Sequence, residues 1–301
     1  SQAHTVAVGT SSEKSHFRLS VGYNGNDGLF KNESLNKINV DLNAGATINE
    51  WLSLDGKISV SNTKAENRPY TGLNGEVAQL LLMPGNVSLC DLEQNYTSPN
   101  KLHQNWFGPD QHYSNPYYAR HRFKNSDERW RAFGYYSANL NLTDWLKFNA
   151  KYSFDYYRTR LQTSDLSLGD GAISTDGTGW QGKLVNDGMT RAEENHFEQN
   201  IQFLLMGDNQ LAKKWRLGYT AGANIMYLKF EQLSASVQNM LERDNWIFNT
   251  GNKLTSALDD GHSRAMYSAF ASAQLAYDEW LSLDITARND WSSTLPKKNN
   301  S

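Results

Sequence analysis

The sequence predicts an all-β chain: an antiparallel transmembrane β-barrel segment of about ten strands, with short turns at one end and long loops at the other. Three observations predict it. Apolar and polar residues alternate with period two along much of the 301-residue chain. Short turns carrying a tryptophan recur between the alternating segments, and long polar connectors separate the resulting hairpins. No stretch approaches the roughly 20 consecutive apolar residues that a spanning helix needs, and runs such as 80–83 are short.

The first strand is expected at residues 3–11. Phe17, Leu19, Val21 and Tyr23 then alternate with Arg18, Ser20, Gly22 and Asn24. Over 38–48, Ile38, Val40, Leu42, Ala44, Ala46 and Ile48 share one face, opposite Asn39, Asp41, Asn43 and Thr47. After the turn at Trp51 the alternation resumes, with Leu52, Leu54, Ile58 and Val60 against Ser53, Asp55, Lys57, Ser59 and Ser61. The unit returns after Trp145, where Leu146, Phe148, Ala150, Tyr152, Phe154 and Tyr156 oppose Lys147, Asn149, Lys151, Ser153 and Asp155. A looser copy follows Trp215, and Leu281, Leu283, Ile285 and Ala287 follow Trp280 in a last strand at 281–291.

The long connectors run over about 62–128, 158–192 and 232–263. Outer-membrane barrels combine short periplasmic turns with long extracellular loops in this way. Trp51, Trp145, Trp215 and Trp280 are therefore expected to form a periplasmic aromatic girdle, where an apolar ring and an N–H donor can both be satisfied. A soluble β-sandwich also alternates. Polar residues at nearly every second position suit a wet lumen better, and the opposite face is one that lipid tolerates.

Composition agrees. Mean hydropathy is -0.67 and the hydrophobic share 39%, the average of a lipid face and a water face. A net charge of -3 gives no basic footprint for nucleic acid. The one cysteine, Cys90, excludes an internal disulfide and has no neighbouring base to activate it. No signal peptide opens the chain, so the sequence reads as a processed protein or an internal piece. An open ten-stranded sheet would leave two unpaired edges in lipid, which favours a segment of a larger barrel.

Several local patterns carry a resemblance. They are the opening Ser12-Glu13-Lys14-Ser15-His16-Phe17-Arg18-Leu19-Ser20-Val21-Gly22-Tyr23 with Asn26-Asp27-Gly28-Leu29-Phe30, and Asn43-Ala44-Gly45-Ala46-Thr47-Ile48-Asn49-Glu50-Trp51-Leu52-Ser53-Leu54. Asn115-Pro116-Tyr117-Tyr118 and Arg288-Asn289-Asp290-Trp291-Ser292-Ser293-Thr294-Leu295-Pro296 complete the set. In order and spacing the chain resembles the SusC/RagA-like TonB-linked outer-membrane transporters. The resemblance implies that residues 1–301 are part of a barrel of about 22 strands, with plug, TonB box and remaining strands lying outside this chain. It also implies import of an oligosaccharide or peptide, a SusD-like surface lipoprotein lid, and a TonB complex as energy source.

The ligand-facing chemistry is expected in the outer loops, from Trp106, Tyr113, Tyr117, Tyr118, Trp180 and Trp246, since aromatic faces among amides suit neutral polar ligands. The same rings can simply pack the loops. Residues 73–83, ended by Pro84-Gly85, read as the one helix. Catalytic sets are missing. Glu193-Glu194 and Asp259-Asp260 read as solvated pairs, His196 and Glu198 lack further metal ligands, and Asp170 and Asp176 miss the calcium-loop spacing. No enzyme activity, metal or cofactor is expected. The alternatives are a complete ten-stranded outer-membrane enzyme and a surface carbohydrate-binding β-domain.

Overall fold

The computed structural model describes residues 1–69, 76–97, 104–105, 115–122, 124–165, 188–240, 245–278 and 280–296. Ten strands form one antiparallel sheet in sequential order: β1 (Gln2–Ser11), β2 (Ser15–Asp27), β3 (Ser34–Thr47), β4 (Leu52–Glu66), β5 (Asn125–Asn141), β6 (Leu146–Asp165), β7 (Gly188–Ala212), β8 (Trp215–Met240), β9 (Gly251–Tyr277) and β10 (Leu281–Ser292). Between β4 and β5 lie three short helices, α1 (Glu76–Leu82), α2 (Leu89–Gln94) and α3 (Pro116–Arg122).

The short turns fall where the tryptophans placed them. At the β3–β4 turn, Asn49 Oδ1 accepts from the backbone N–H of Trp51 (3.0 Å) and Leu52 (2.8 Å), so the side chain itself closes the bend. Asp278, at φ 46°, makes the β9–β10 reversal. The connectors at the other end are shorter than expected. The 158–192 connector narrows to the residues between Asp165 and Gly188, and 232–263 narrows to those between Met240 and Gly251. The physical reason is that the hydrogen-bonded ladder continues past the apolar band. On β6 and β7 both faces turn largely polar there and on β9 the alternation breaks down, while β8 keeps only a short stretch of it at Leu233, Ala235 and Val237, so the period-two signal fades while the strand does not.

Register assigns the faces. Phe17, Ala44, Gly56, Tyr136, Tyr152, Ile201, Ile225, Tyr267 and Trp291 are successive lateral partners, an apolar row crossing from β2 to β10. The row begins near a short turn on β2 and ends near the far end of β10, so the strands are staggered stepwise as in a tilted barrel wall. On the opposite face the neighbouring row is Arg18, Asn43, Lys57, Tyr135, Ser153 and Asn200.

The sheet covers no apolar core. Among the described residues the buried apolar side chains are few, chiefly Ala65, Leu92, Pro116, Tyr118, Met189 and Val237. Val6 (71% exposed), Tyr136 (50%), Tyr267 (52%) and Leu283 (57%) stand open on the apolar face. A shallow depression of about 620 Å³ on that face is lined by Leu42, Ala44, Leu54, Ile58, Ala150 and Phe203.

If lipid covers this face, position within one strand decides what a charge costs. Phe203→Arg, on the apolar face of β7, should lower stability in vesicles by about 2–4 kcal/mol, and Gln202→Arg, next to it on the polar face, by far less. Urea titrations of the protein folded into vesicles read the difference, and equal losses would contradict the facial assignment.

Candidate ligand-facing wall and outer mouth

Above the long-loop end, the connector between β4 and β5 builds a compact module on the β2–β3 loop. Asn115 and Pro116 start α3 as a side-chain cap followed by a proline at the first helical position. Asn115 Oδ1 accepts from the N–H of Tyr117 (2.9 Å), and its Nδ2 donates to the carbonyls of Asn105 (2.9 Å) and Leu92 (3.2 Å). It is fully buried, so one side chain both caps α3 and ties it to α2.

Arg120 is the clamp of the module. Its Nε donates to the Lys31 carbonyl (2.8 Å), its Nη1 to Glu76 of α1 (3.2 Å), and its guanidinium lies over the Phe30 ring. Both charges of the Arg120–Glu76 pair are nearly excluded from water, at 5% and 3% exposure. Lys31 also pairs with Glu93 of α2, which raises the lysine pKa through the hydrogen bond and the adjacent charge. Asn67 and Asn32 adopt φ of 51° and 66°, and Asn67 Nδ2 donates to the Asn32 carbonyl (2.7 Å). Asparagine tolerates that left-handed backbone better than most residues.

His121 stacks on Tyr96, ring centroids 4.6 Å apart, with its Nδ1 3.4 Å from Asn32 Nδ2. Burial, and then the nearby Lys31 charge, hold its pKa below the usual 6.5. An Asn32 amide can donate only to an unprotonated Nδ1, so the hydrogen bond requires the neutral ring.

Below the module the polar face carries a lateral ladder of rings and charges. Arg131, Tyr157, His196, Phe230 and His262 are successive partners on β5 to β9. Tyr157 and His196 stack at 4.6 Å and 10°, Arg129 lies over Tyr157 at 5.0 Å, and Phe230 meets His262 at 5.3 Å. Among these rings the His196 Nδ1 is buried without a hydrogen-bond partner. Glu194 and Glu198 flank His196 on the same face of β7, and Arg131 pairs with Asp155. Nearer the short turns His16 meets Asp55 at 3.2 Å, and the Tyr135 hydroxyl donates to Asp55 at 2.7 Å. A side chain at Gly45 would displace the His16 ring from its place beside Asp55.

The residues expected to face ligand are thus divided. Tyr117 is half-buried on α3, whereas Tyr118 is 1% exposed under the Arg122 guanidinium, a packing position inside the module. Trp246 is half-buried, and its carbonyl accepts from Arg191 (2.8 Å). Trp106, Tyr113 and Trp180 lie outside the described residues. Trp51, Trp145, Trp215 and Trp280 all stand exposed at the short-turn end, Trp215 packed on Tyr277 with centroids 4.8 Å apart. The sequence reading missed the ring ladder. Its signal was a titratable or aromatic residue at the same face position of five consecutive strands, visible only once register is known. It also took 73–83 as the one helix, where α1 spans Glu76–Leu82 and α2 and α3 accompany it.

No family model and no curated protein matches the chain. Solved structures do match in fold. The RagAB peptide importer in its closed-closed state superposes with a TM-score of 0.75 at 17% identity, over 99% of this chain and 32% of that one. BauA, the ferric preacinetobactin receptor of Acinetobacter baumannii, gives 0.54 at 12% identity over 98% and 40%. The siderophore receptor PiuA of the same organism gives 0.52 at 10% over 97% and 44%. The fold is that of a wall segment of a TonB-dependent outer-membrane transporter barrel. Within that class the agreement is better with RagAB than with either siderophore receptor, and the chain spans about a third of the RagAB chain's length.

Two consequences can be checked. Arg120→Ala would remove the buried cation facing Glu76 together with its bond to the Lys31 carbonyl, a loss of about 3–5 kcal/mol to the module; limited proteolysis should then cut between β4 and β5 while the sheet keeps its melting temperature. For His121, the folded pKa lies below the unfolded one, so its contribution to stability is complete above about pH 6.5 and is lost as acidification protonates the unfolded form first. The protection factors of the α3 amides, taken relative to the intrinsic exchange rate at each pH, should fall below that pH, and His121→Gln should flatten the response.

Proposed function

We propose that these residues form part of the wall and outer mouth of a TonB-dependent outer-membrane importer, taking up an oligosaccharide or peptide beneath a SusD-like lipoprotein lid. The observation that carries the reading is the apolar face bounded by two sets of aromatic rings. Trp51, Trp145, Trp215 and Trp280, exposed at the short-turn end, would form a periplasmic girdle. Tyr23, Trp130, Tyr156, Tyr227, Tyr267 and Trp291, on the apolar face further along the strands, form an outer one.

From Trp145 to Tyr156 the chain advances about 36 Å at roughly 3.3 Å per residue, and a strand tilt of about 40° reduces this to about 28 Å along the membrane normal. That matches the apolar band of about 25 Å in outer-membrane barrels. The polar face, with its ring edges, carboxylates and guanidinium groups, then lines the lumen. Hydrogen-bonding edges and both signs of charge suit a peptide or a glycan better than an apolar solute. The likeness to RagAB favours a peptide. Half-buried Tyr117 and Trp246, with Trp106, Tyr113 and Trp180, would meet ligand or lid, with TonB engaging a segment outside this chain.

The test is the native polypeptide. It should be about three times as long as these 301 residues, fractionate with outer membranes, and be required for proton-motive-force-dependent uptake of fluorescent oligopeptides. A mature product no longer than this chain, or uptake indifferent to its deletion, would overturn the reading.

A further inference from the structure

Outside the lumen, the apolar face carries charge immediately beyond the outer aromatic set. Arg158 and Arg160 of β6 lie two and four residues past Tyr156 on the same face, and register sets Arg160 against Glu193 of β7. One carboxylate serves both guanidinium groups: Glu193 is 2.5 Å from Arg158 and 3.3 Å from Arg160. Arg191, on the same face of β7, bonds the neutral side chain of Gln162 (3.3 Å) and the Trp246 carbonyl.

Beside them is an open groove of about 800 Å³ whose lining includes Lys64, Lys124, Arg160, Arg191, Leu233 and Phe248, with the Arg191 guanidinium over the Phe248 ring. Its carboxylates are already engaged. Glu66 takes Lys64 (2.6 Å), Asp127 takes Arg68, and Glu128 accepts from Asn62 (2.9 Å) and Trp130 (3.1 Å). The described residues give Lys124 and Arg191 no carboxylate at all. An excess of positive charge therefore sits beside apolar side chains, on the membrane side of the wall, at headgroup height.

We propose that this groove holds a phosphate-bearing lipid headgroup of the outer leaflet, with an acyl chain descending over Tyr156 and Phe197. The inference rests on the membrane orientation given under Proposed function. Arg191 and Arg160 would receive the phosphate, since a guanidinium fork matches its oxygens. Leu233, 60% exposed, would take the first methylenes. Neutral headgroups offer the unpaired cations nothing. A free phosphate ion would gain nothing from Leu233 and Phe248.

The experiment uses the full native polypeptide in nanodiscs containing equal amounts of a phosphorylated glucosamine lipid and its dephosphorylated form, with retained lipid counted by native mass spectrometry. Wild type should keep the phosphorylated lipid preferentially. Arg160→Gln with Arg191→Gln should reduce that preference about thirtyfold, equivalent to about 2 kcal/mol for two surface cations. Arg216→Gln, at the short-turn end, should leave it unchanged. A wild type that inserts but shows no preference, a preference abolished equally by inorganic phosphate, or one unmoved in the double variant would overturn the proposal. Failure of the wild type to enter nanodiscs at all would overturn the membrane reading itself, and flotation separates that outcome from the others.

Discussion

A wall that crosses hydrocarbon must satisfy every peptide N–H and C=O within itself, because the solvent offers no partner. The rest of this structure follows from that demand. The strands pair strictly with their neighbours in sequence, so the ladder is continuous from β1 to β10. Side chains are then released from holding the sheet together and divide by parity, apolar on one face and polar on the other. A soluble sheet of this size would bury its apolar face under a second layer; here Tyr136, Tyr267 and Leu283 remain open.

The same parity rule distributes chemistry over three zones. On the polar face, cross-strand partners make short ion pairs and ring stacks, such as Arg131 with Asp155 and Tyr157 with His196. On the apolar face, charge returns only beyond the outer aromatic rings, where Glu193 pairs with its two arginines. The module between β4 and β5 obeys a different logic. It has little apolar core, and fixes its helices with buried polar groups instead, chiefly Asn115 and Arg120. Removing one partner from such a buried polar contact costs more than removing an exposed one, so the module tolerates substitution poorly at these two residues.

Fold class, strand number and the short turns were legible because period-two alternation and turn chemistry are local. Asn49 and Trp51 announce their turn whatever surrounds them. Strand ends at the other side were not legible, since β6 and β7 run on with polar residues on both faces, β9 loses its alternation, and the short Leu233, Ala235, Val237 stretch of β8 does not stand out from loop. α3 was readable in part: Asn115-Pro116 is a helix-start signature that was taken only as a family motif. The burial of Tyr118 follows from the packing of α3 on its neighbours, which no local pattern encodes. The ring ladder depends on register between strands up to dozens of residues apart, and the groove at Arg160 and Arg191 on which face each strand turns outward. A sequence displays neither until the strands are paired.

Strand length carries a consequence of its own. Past the outer rings β2 continues only from Tyr23 to Asp27, whereas β8 continues from Tyr227 to Met240 and β9 from Tyr267 back to Gly251. At about 3.3 Å per residue, that is about 13 Å of wall on one side and more than about 40 Å on the other. The rim is a slope, low over β2 and β3 and high over β8 and β9, with the helical module seated on its low side. The long strands therefore stand as a bare two-stranded screen, while on the short side helices bonded through their side chains take the place of the missing sheet.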